Sequence, residues 1–473
     1  MSASDRDDSV PSAPPATANT GAVAAMGLDL QVDKKVPGRT VLAWAFWDWA
    51  TQPFNSVILT FIFASTLYLT GEAFLPADVA ALPENDPVRT GALADLAAGY
   101  GWGGTVAGLL ILLFAPVLGQ RADASGRQKR WLAGATGLLV ACMFALFFVR
   151  PEPELFVWGV ALIAAGSVFS EIAGVNYNAL LIGIANPKNI GRISGLGWGF
   201  GYIGGIVALT LVIVFYLADW FGLPADDGLP FRLIAVGCAV WAIVFSVPLF
   251  FAVPEPSSGR EIARVSFFAS YKLLIKDVIG LYRNTETRPT FWFLVSSAVF
   301  RDGLAGVFAY GAIIAGGVFG FDFIKLVIFG IAANLVAGIS TILAGRLDDR
   351  FGAKKIIVTA LIGMIIAGLA VFFLRDGGQV VFWIGGLILC AFVGPAQAAA
   401  RSFLARVTPA GREGEIFGLY ATTGRAASWI SSALWSLLIV ITSVTAFGIL
   451  GIVIVLVVGL ALLLPVRTPR VGG

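Results

Sequence analysis

Gly119-Gln-Arg-Ala-Asp123-Ala-Ser-Gly126-Arg-Gln-Lys129 and, 226 residues later, Gly345-Arg-Leu-Asp-Asp349-Arg-Phe-Gly352-Ala-Lys-Lys355 carry Gly, Asp, Gly and Lys at the same four steps. Each copy is a short polar loop between two apolar runs, so the pair marks equivalent points in a chain that repeats itself. Other matches keep nearly the same offset: Pro187 with Pro409, Gly195-Leu196 with Gly418-Leu419, and Gly201 with Gly424. Asp48 and Asp302 pair at a wider offset, and a long loop over 70–96 with no counterpart after the seventh run accounts for the difference.

Apolar runs fall near 41–69, 97–118, 131–149, 156–182, 191–218, 232–252, 290–318, 323–345, 355–374, 380–405, 415–440 and 443–465. Each suits the ~20 residues that a helix needs to cross a bilayer. Of the 473 residues 58% are hydrophobic and 13% charged. A soluble domain carries about 25% charge, which excludes soluble enzymes and nucleic-acid-binding proteins. The expected fold is all-α: a polytopic membrane protein with twelve transmembrane helices in two pseudo-symmetric six-helix bundles, related by an axis along the membrane normal. Residues 1–37 read as a disordered tail too polar to fold, with no secretory leader. The first bundle covers 38–252, a linker 253–290, the second bundle 291–466, and a short tail 467–473. In the linker, Val265, Phe268, Tyr271, Ile275, Val278 and Tyr282 recur at helical steps with Arg264, Lys272, Lys276 and Arg283 on other faces. That pattern predicts an amphipathic helix in the headgroup layer.

With a cytoplasmic N-terminus, 24 of the 32 Lys and Arg fall in inner segments, five in outer loops and three within spans. This is the positive-inside bias. It predicts cytoplasmic termini and linker and an inner (cell) membrane location, with the lipid bilayer as the surrounding partner.

Asp48, Glu171, Arg301, Asp302, Arg401 and Arg425 lie inside spans. Each charge costs about 2.5–3.5 kcal/mol near a helix centre unless it is paired or faces water. Structural ion pairing is one reading of three acids and three bases. A hydrated cavity is the other, and polar stripes favour it. Asp48, Gln52 and Asn55 form one stripe on span one, beside Pro53. Glu171 and Asn178 share a face of span four, next to Tyr177, and Asn334 marks span eight. Gln397 and Arg401 share a face of span ten after a Gly394-Pro395 break, and Arg425 opens a stripe on span eleven. Arg301 and Asp302 are adjacent, so at most one points squarely into a cavity; the repeat favours Asp302, with Arg301 as a partner for its neighbours. Both signs of charge suit a zwitterionic or small charged solute. A carboxylate that alternately takes and releases a proton is the natural coupling element, Asp48 first and Glu171 or Asp302 second.

The chain has no histidine, which removes the commonest metal ligand and general base. Cys142, Cys238 and Cys390 are far apart within apolar runs and read as small core residues. No metal, cofactor, ATP-binding loop or enzyme motif is expected. Gly199-Phe-Gly201-Tyr-Ile-Gly204 spells a dinucleotide pattern but lies within an apolar helix, where close helix packing explains it better.

With these residues the sequence resembles the major facilitator superfamily, on the Gly-x-x-x-Asp-x-x-Gly loop present in both halves. Within it, the chain resembles the branch of bacterial unknown major facilitators and vacuole effluxer-like amino-acid exporters. Ala43-Trp-Ala-Phe-Trp-Asp48-Trp, Tyr177-Asn178-Ala-Leu-Leu, Gly191-Arg-Ile-Ser-Gly-Leu-Gly-Trp-Gly-Phe-Gly-Tyr202, Gln397-Ala-Ala-Ala-Arg401-Ser and Gly414-Glu-Ile-Phe-Gly-Leu-Tyr420 carry that likeness. The resemblance implies that Gly119, Asp123, Gly126 and Arg127, with Gly345, Asp349 and Gly352 as the weaker set, form a gate that shuts and opens the inner side.

The expected function is secondary transport of a small solute by alternating access in a monomer. The resemblance favours proton-linked efflux of amino acids or related metabolites. Ion-coupled uptake of sugars or organic acids, and a transporter-like sensor or scaffold, are the alternatives.

Overall fold

The computed structural model describes residues 36–125, 127–184, 190–224, 226–255, 267–285, 287–407 and 413–466. Both tails and residues 256–266 of the linker, Val265 included, lie outside this set. All regular secondary structure of the described residues is helical. The first bundle contains α1 (Gly38–Pro53), α2 (Pro87–Ser125), α3 (Gln128–Ala145), α4 (Phe156–Ile184), α5 (Ile190–Leu217) and α6 (Leu229–Ala252). The linker helix α7 (Phe267–Arg283) leads to α8 (Arg288–Gly317), α9 (Phe323–Phe351), α10 (Ala353–Phe373) and α11 (Gln379–Val407). Span eleven is split into α12 (Glu413–Ala426) and α13 (Ile430–Thr442), and α14 (Gly448–Leu463) is the last.

Among the described residues, eleven helical segments are long and apolar enough to cross a membrane. Span one differs because it changes helix type midway: α1 is 16 residues long and runs on as an eight-residue π-helix, Phe54–Phe61. Pro53 supplies the physical reason. It has no N–H to donate to the carbonyl of Trp49, one turn earlier. The indole N–H of Trp241 on α6 donates to that oxygen instead, at 3.0 Å.

Packing repeats between the halves. In the first, α1 packs on α5 and α6, α3 on α4 and α6, and α2 on α4. In the second, α8 packs on α12 and α14, α10 on α11 and α14, and α9 on α11. Equivalent spans therefore have equivalent neighbours, the two-bundle arrangement expected from the repeated loops. One end of the molecule carries the repeated loops and their Lys and Arg residues (the basic end). The other carries residues 62–86, 318–322 and 443–447 (the far end).

Two local expectations change. α2 begins at Pro87, well before the apolar run near 97, because proline suits a first helical position and the Asp86 carboxylate accepts the Val88 N–H at 2.8 Å. Span ten has no break: α11 runs through Pro395. Gly394 provides a close approach to α9, where a Cβ would lie 2.9 Å from the Ala337 carbonyl oxygen.

The repeated loops acquire a structural reason. Gly352 joins α9 to α10 at φ +87°, a left-handed conformation that favours glycine. Gly126, its counterpart, lies outside the described residues. Gly119 and Asp123 fall in the last turns of α2, and Gly345 and Asp349 in those of α9, with both Asp side chains outside the described set. Arg127 is exposed before α3. Lys129 Nζ donates to the Val253 carbonyl oxygen (2.7 Å) after α6. Lys354 Nζ donates to the carbonyl oxygens of Leu464 (2.8 Å) and Val466 (2.6 Å) after α14. In both halves a basic side chain beside the loop thus binds the carbonyls that end the bundle's last helix, where a positive charge is favoured.

Candidate functional site

The first polar group forms where α1, α4 and α5 meet. The hydroxyl of Tyr177 donates to Asp48 Oδ2 at 3.0 Å. The Tyr177 ring is stacked by Trp44 at 4.4 Å and 5°, and by Trp47 at 4.4 Å and 26°. Trp44 Nε1 donates to the Tyr177 carbonyl oxygen (3.1 Å), and Trp47 Nε1 to Thr136 Oγ1 (3.1 Å). Such aromatic pairs contribute about 0.5–1.5 kcal/mol each beyond burial, and they fix where the hydroxyl points. Trp44 and Tyr177 are therefore buried holders of Asp48, with their rings outside any open cavity. The glycines of α5 explain the approach: a Cβ at Gly197 would reach 2.8 Å from the Tyr177 hydroxyl, and one at Gly204 3.0 Å from the Trp49 carbonyl oxygen. Gln52 donates to Ser56 Oγ at 3.2 Å and stays partly exposed. Asn55 lies beyond Pro53 in the π-helical segment, so the α-helical stripe of Asp48 and Gln52 ends before it.

The second group joins the halves. Arg425 Nε on α12 donates to Glu171 Oε1 on α4, an ion pair across the two bundles. Their side chains remain 25% and 38% exposed, so this interior contact borders open space. Arg301 on α8 lies within electrostatic reach of Glu171, Arg401 and Arg425. Its Nη1 donates to the Tyr420 carbonyl oxygen at 3.3 Å, and its guanidinium lies 4.2 Å above the Tyr420 ring. Arg401 is exposed and within electrostatic reach of Tyr202 and Tyr420.

Asp302 is elsewhere. It is 5% exposed, and its Oδ2 accepts the backbone N–H of Ser431 at 2.6 Å. Ser431 Oγ donates back to the Asp302 carbonyl oxygen at 3.2 Å. The carboxylate therefore caps the first turn of α13 from another helix, where a negative charge is favoured. Of the adjacent pair, Arg301 faces the gap between the halves and Asp302 serves the break in span eleven, the reverse of the expected assignment. Asn334 is also structural: buried, it donates to the Gly330 carbonyl oxygen of its own helix at 2.8 Å. Gln397 is partly exposed and Asn178 exposed, and neither joins the two groups.

At the far end the halves are joined by a series of small-residue contacts that the sequence did not announce. α2 meets α13, and α5 meets α9. Gly101 abuts Ser436; a Cβ at Gly104 would lie 3.0 Å from Ser432 Oγ, and one at Gly108 2.9 Å from the Ser428 carbonyl oxygen. Trp435 Nε1 donates to the Ala97 carbonyl oxygen (3.2 Å) and Ser436 Oγ to that of Ala98 (2.9 Å). Within the second half Tyr310 stacks on Trp435 at 4.4 Å, and across the halves Tyr216 stacks on Phe323 at 4.3 Å. Matching i, i+3, i+7 glycines to serines four apart was the available signal. Asp348, the residue before Asp349 in the chain, is also buried.

A model of the family described as Vacuole effluxer Atg22 like matches residues 184–471. The uncharacterized MFS-type transporter YxiO of Bacillus subtilis is 23% identical over 423 residues, 89% of this chain and 93% of that protein. Autophagy-related protein 22 of Cryptococcus neoformans is 24% identical over 303 residues, 59% of this chain and 53% of that protein, so the chain spans about half of that relative's length. Among solved structures, a D-xylose-proton symporter is similar with a TM-score of 0.62 at 14% identity, over 91% of this chain and 97% of that one. The human organic anion transporter MFSD10 is similar at 0.58 and 14%, over 91% of this chain and all of that one (100%). These last two likenesses are of fold.

Proposed function

Because the chain belongs to the Vacuole effluxer Atg22 like family of major facilitator transporters, we propose that it moves a small solute across the cell membrane by alternating access, coupled to protons and in the export direction. The basic end is cytoplasmic in this reading, and the far-end seal between α2 and α13 makes this the state closed to the outside. Amino acids or related metabolites are the proposed cargo.

The observation that carries the reading is the ion pair of Glu171 and Arg425. Each half contributes one partner, and both remain partly exposed in the interior of the molecule. Charges at that depth persist where water reaches them, and a pair across the halves can break and reform as they rock. Asp48, held by Tyr177 beside the same span four, is the proposed proton carrier. Purified protein in sealed vesicles, with an imposed pH gradient, is the test, screened over amino acids, sugars and organic acids. Gradient-driven flux that disappears in Asp48→Asn supports the reading; flux indifferent to the gradient and to that substitution rejects the coupling, and no flux of any solute rejects transport.

A further inference from the structure

We propose that Arg301 is the docking point for a carboxylate on the solute, so that the cargo is an acid with one negative charge to offer at this position. The inference rests on the transporter reading above and adds the substrate class. Among the described residues, each acid near Arg301 already has another partner. Asp302, its neighbour in sequence, accepts from Ser431. Glu171, across the gap, is bonded by Arg425. Among the described residues, the direct polar contacts of Arg301 are neutral: the Tyr420 carbonyl oxygen and the Tyr420 ring. Arg401 and Arg425 lie within electrostatic reach and add like charge.

A guanidinium offers five N–H donors in a planar fork. One donor of Arg301 goes to Tyr420, and the residue is partly exposed, with Glu171 and Arg425 within electrostatic reach. The fork matches the two oxygens of a carboxylate in a bidentate contact, which a lysine ammonium cannot reproduce. Gly424 keeps that place clear on α12, since a Cβ there would fall 2.7 Å from Arg301 Nη1. A bound carboxylate would supply the negative charge that this side chain lacks at close range, in a setting where an unmatched charge is costly. It would also lie beside the Glu171–Arg425 pair, so that binding and the contact between the halves act on one another.

The test uses the full chain in vesicles and a panel of small acids, each beside its amide and one also beside its amine: L-leucine with L-leucinamide, 4-methylpentanoate with its amide and with isoamylamine, and lactate with lactamide. D-xylose and a phosphate monoester complete the panel. The readouts are counterflow into vesicles and thermal stabilisation of the detergent-purified protein. At least one acid should be carried, at least tenfold better than its amide. Arg301→Gln should erase that preference, and Arg301→Lys should keep part of it. An amide, amine, sugar or phosphate ester carried as well as the acids overturns the carboxylate site while leaving transport standing, and so does an unchanged preference in Arg301→Gln. Wild-type acid and amide alone decide the matter if the variants fail to fold. A panel in which nothing is carried removes the transporter reading and this proposal with it.

Discussion

Asp48 and Asp302 occupy related positions in the repeat and do different work. Asp48 meets a hydroxyl from another helix and stays partly exposed, whereas Asp302 is buried against a backbone N–H. A neutral side chain at 302 loses the interaction with the start of α13 that a carboxylate provides, about 1 kcal/mol. Asp302→Asn should therefore lower the unfolding temperature by about a degree with solute preference unchanged. A scan of the purified protein checks this, and an altered preference with unchanged melting would place Asp302 at the solute instead. Periodicity located both acids but could not distinguish them. Their roles are set by which atom of a distant segment lies opposite, Tyr177 in one case and Ser431 in the other.

At the scale of elements, the contact of α2 with α13 depends on the absence of side chains. A Cβ at Gly108 would lie 2.8 Å from the Trp429 backbone nitrogen, and backbone cannot move aside as a flexible side chain can. Gly108→Val should hold the far end open. A cysteine placed at Ala97 is then labelled by a membrane-impermeant thiol reagent several-fold faster than in the parent, while flux falls at least tenfold. Equal labelling would mean that the seal does not need this close approach. The native cysteines are buried and give little background. Span one illustrates a second kind of element control. Pro53 removes a donor, Trp241 supplies one, and the helix changes type where the sequence alone showed only a proline beside a polar stripe.

At the scale of the molecule, the halves must separate at one end as they close at the other. A Cβ at Gly101 would meet the Ser436 hydroxyl, close enough for a cysteine pair at 101 and 436 to be tied by oxidation. The tied protein should carry no solute, and reduction should restore flux to within about twofold of the untreated double variant. Transport that persists in the tied protein would show that the two bundles need not part at the far end.

The sequence by itself determined the twelve spans, the duplication and the presence of six charges at membrane depth. Hydrophobic run length, loop register and transfer cost are local quantities, readable without knowing what touches what. Only the tertiary structure decided the pairings. Glu171 meets Arg425 from 254 residues away, Arg301 faces the gap while Asp302 turns from it, and Lys354, one residue off the loop register, binds the end of α14. Each depends on the rotation of one helix against another, and that rotation is set by packing across the whole bundle, where glycines allow close approach and aromatic rings prevent it.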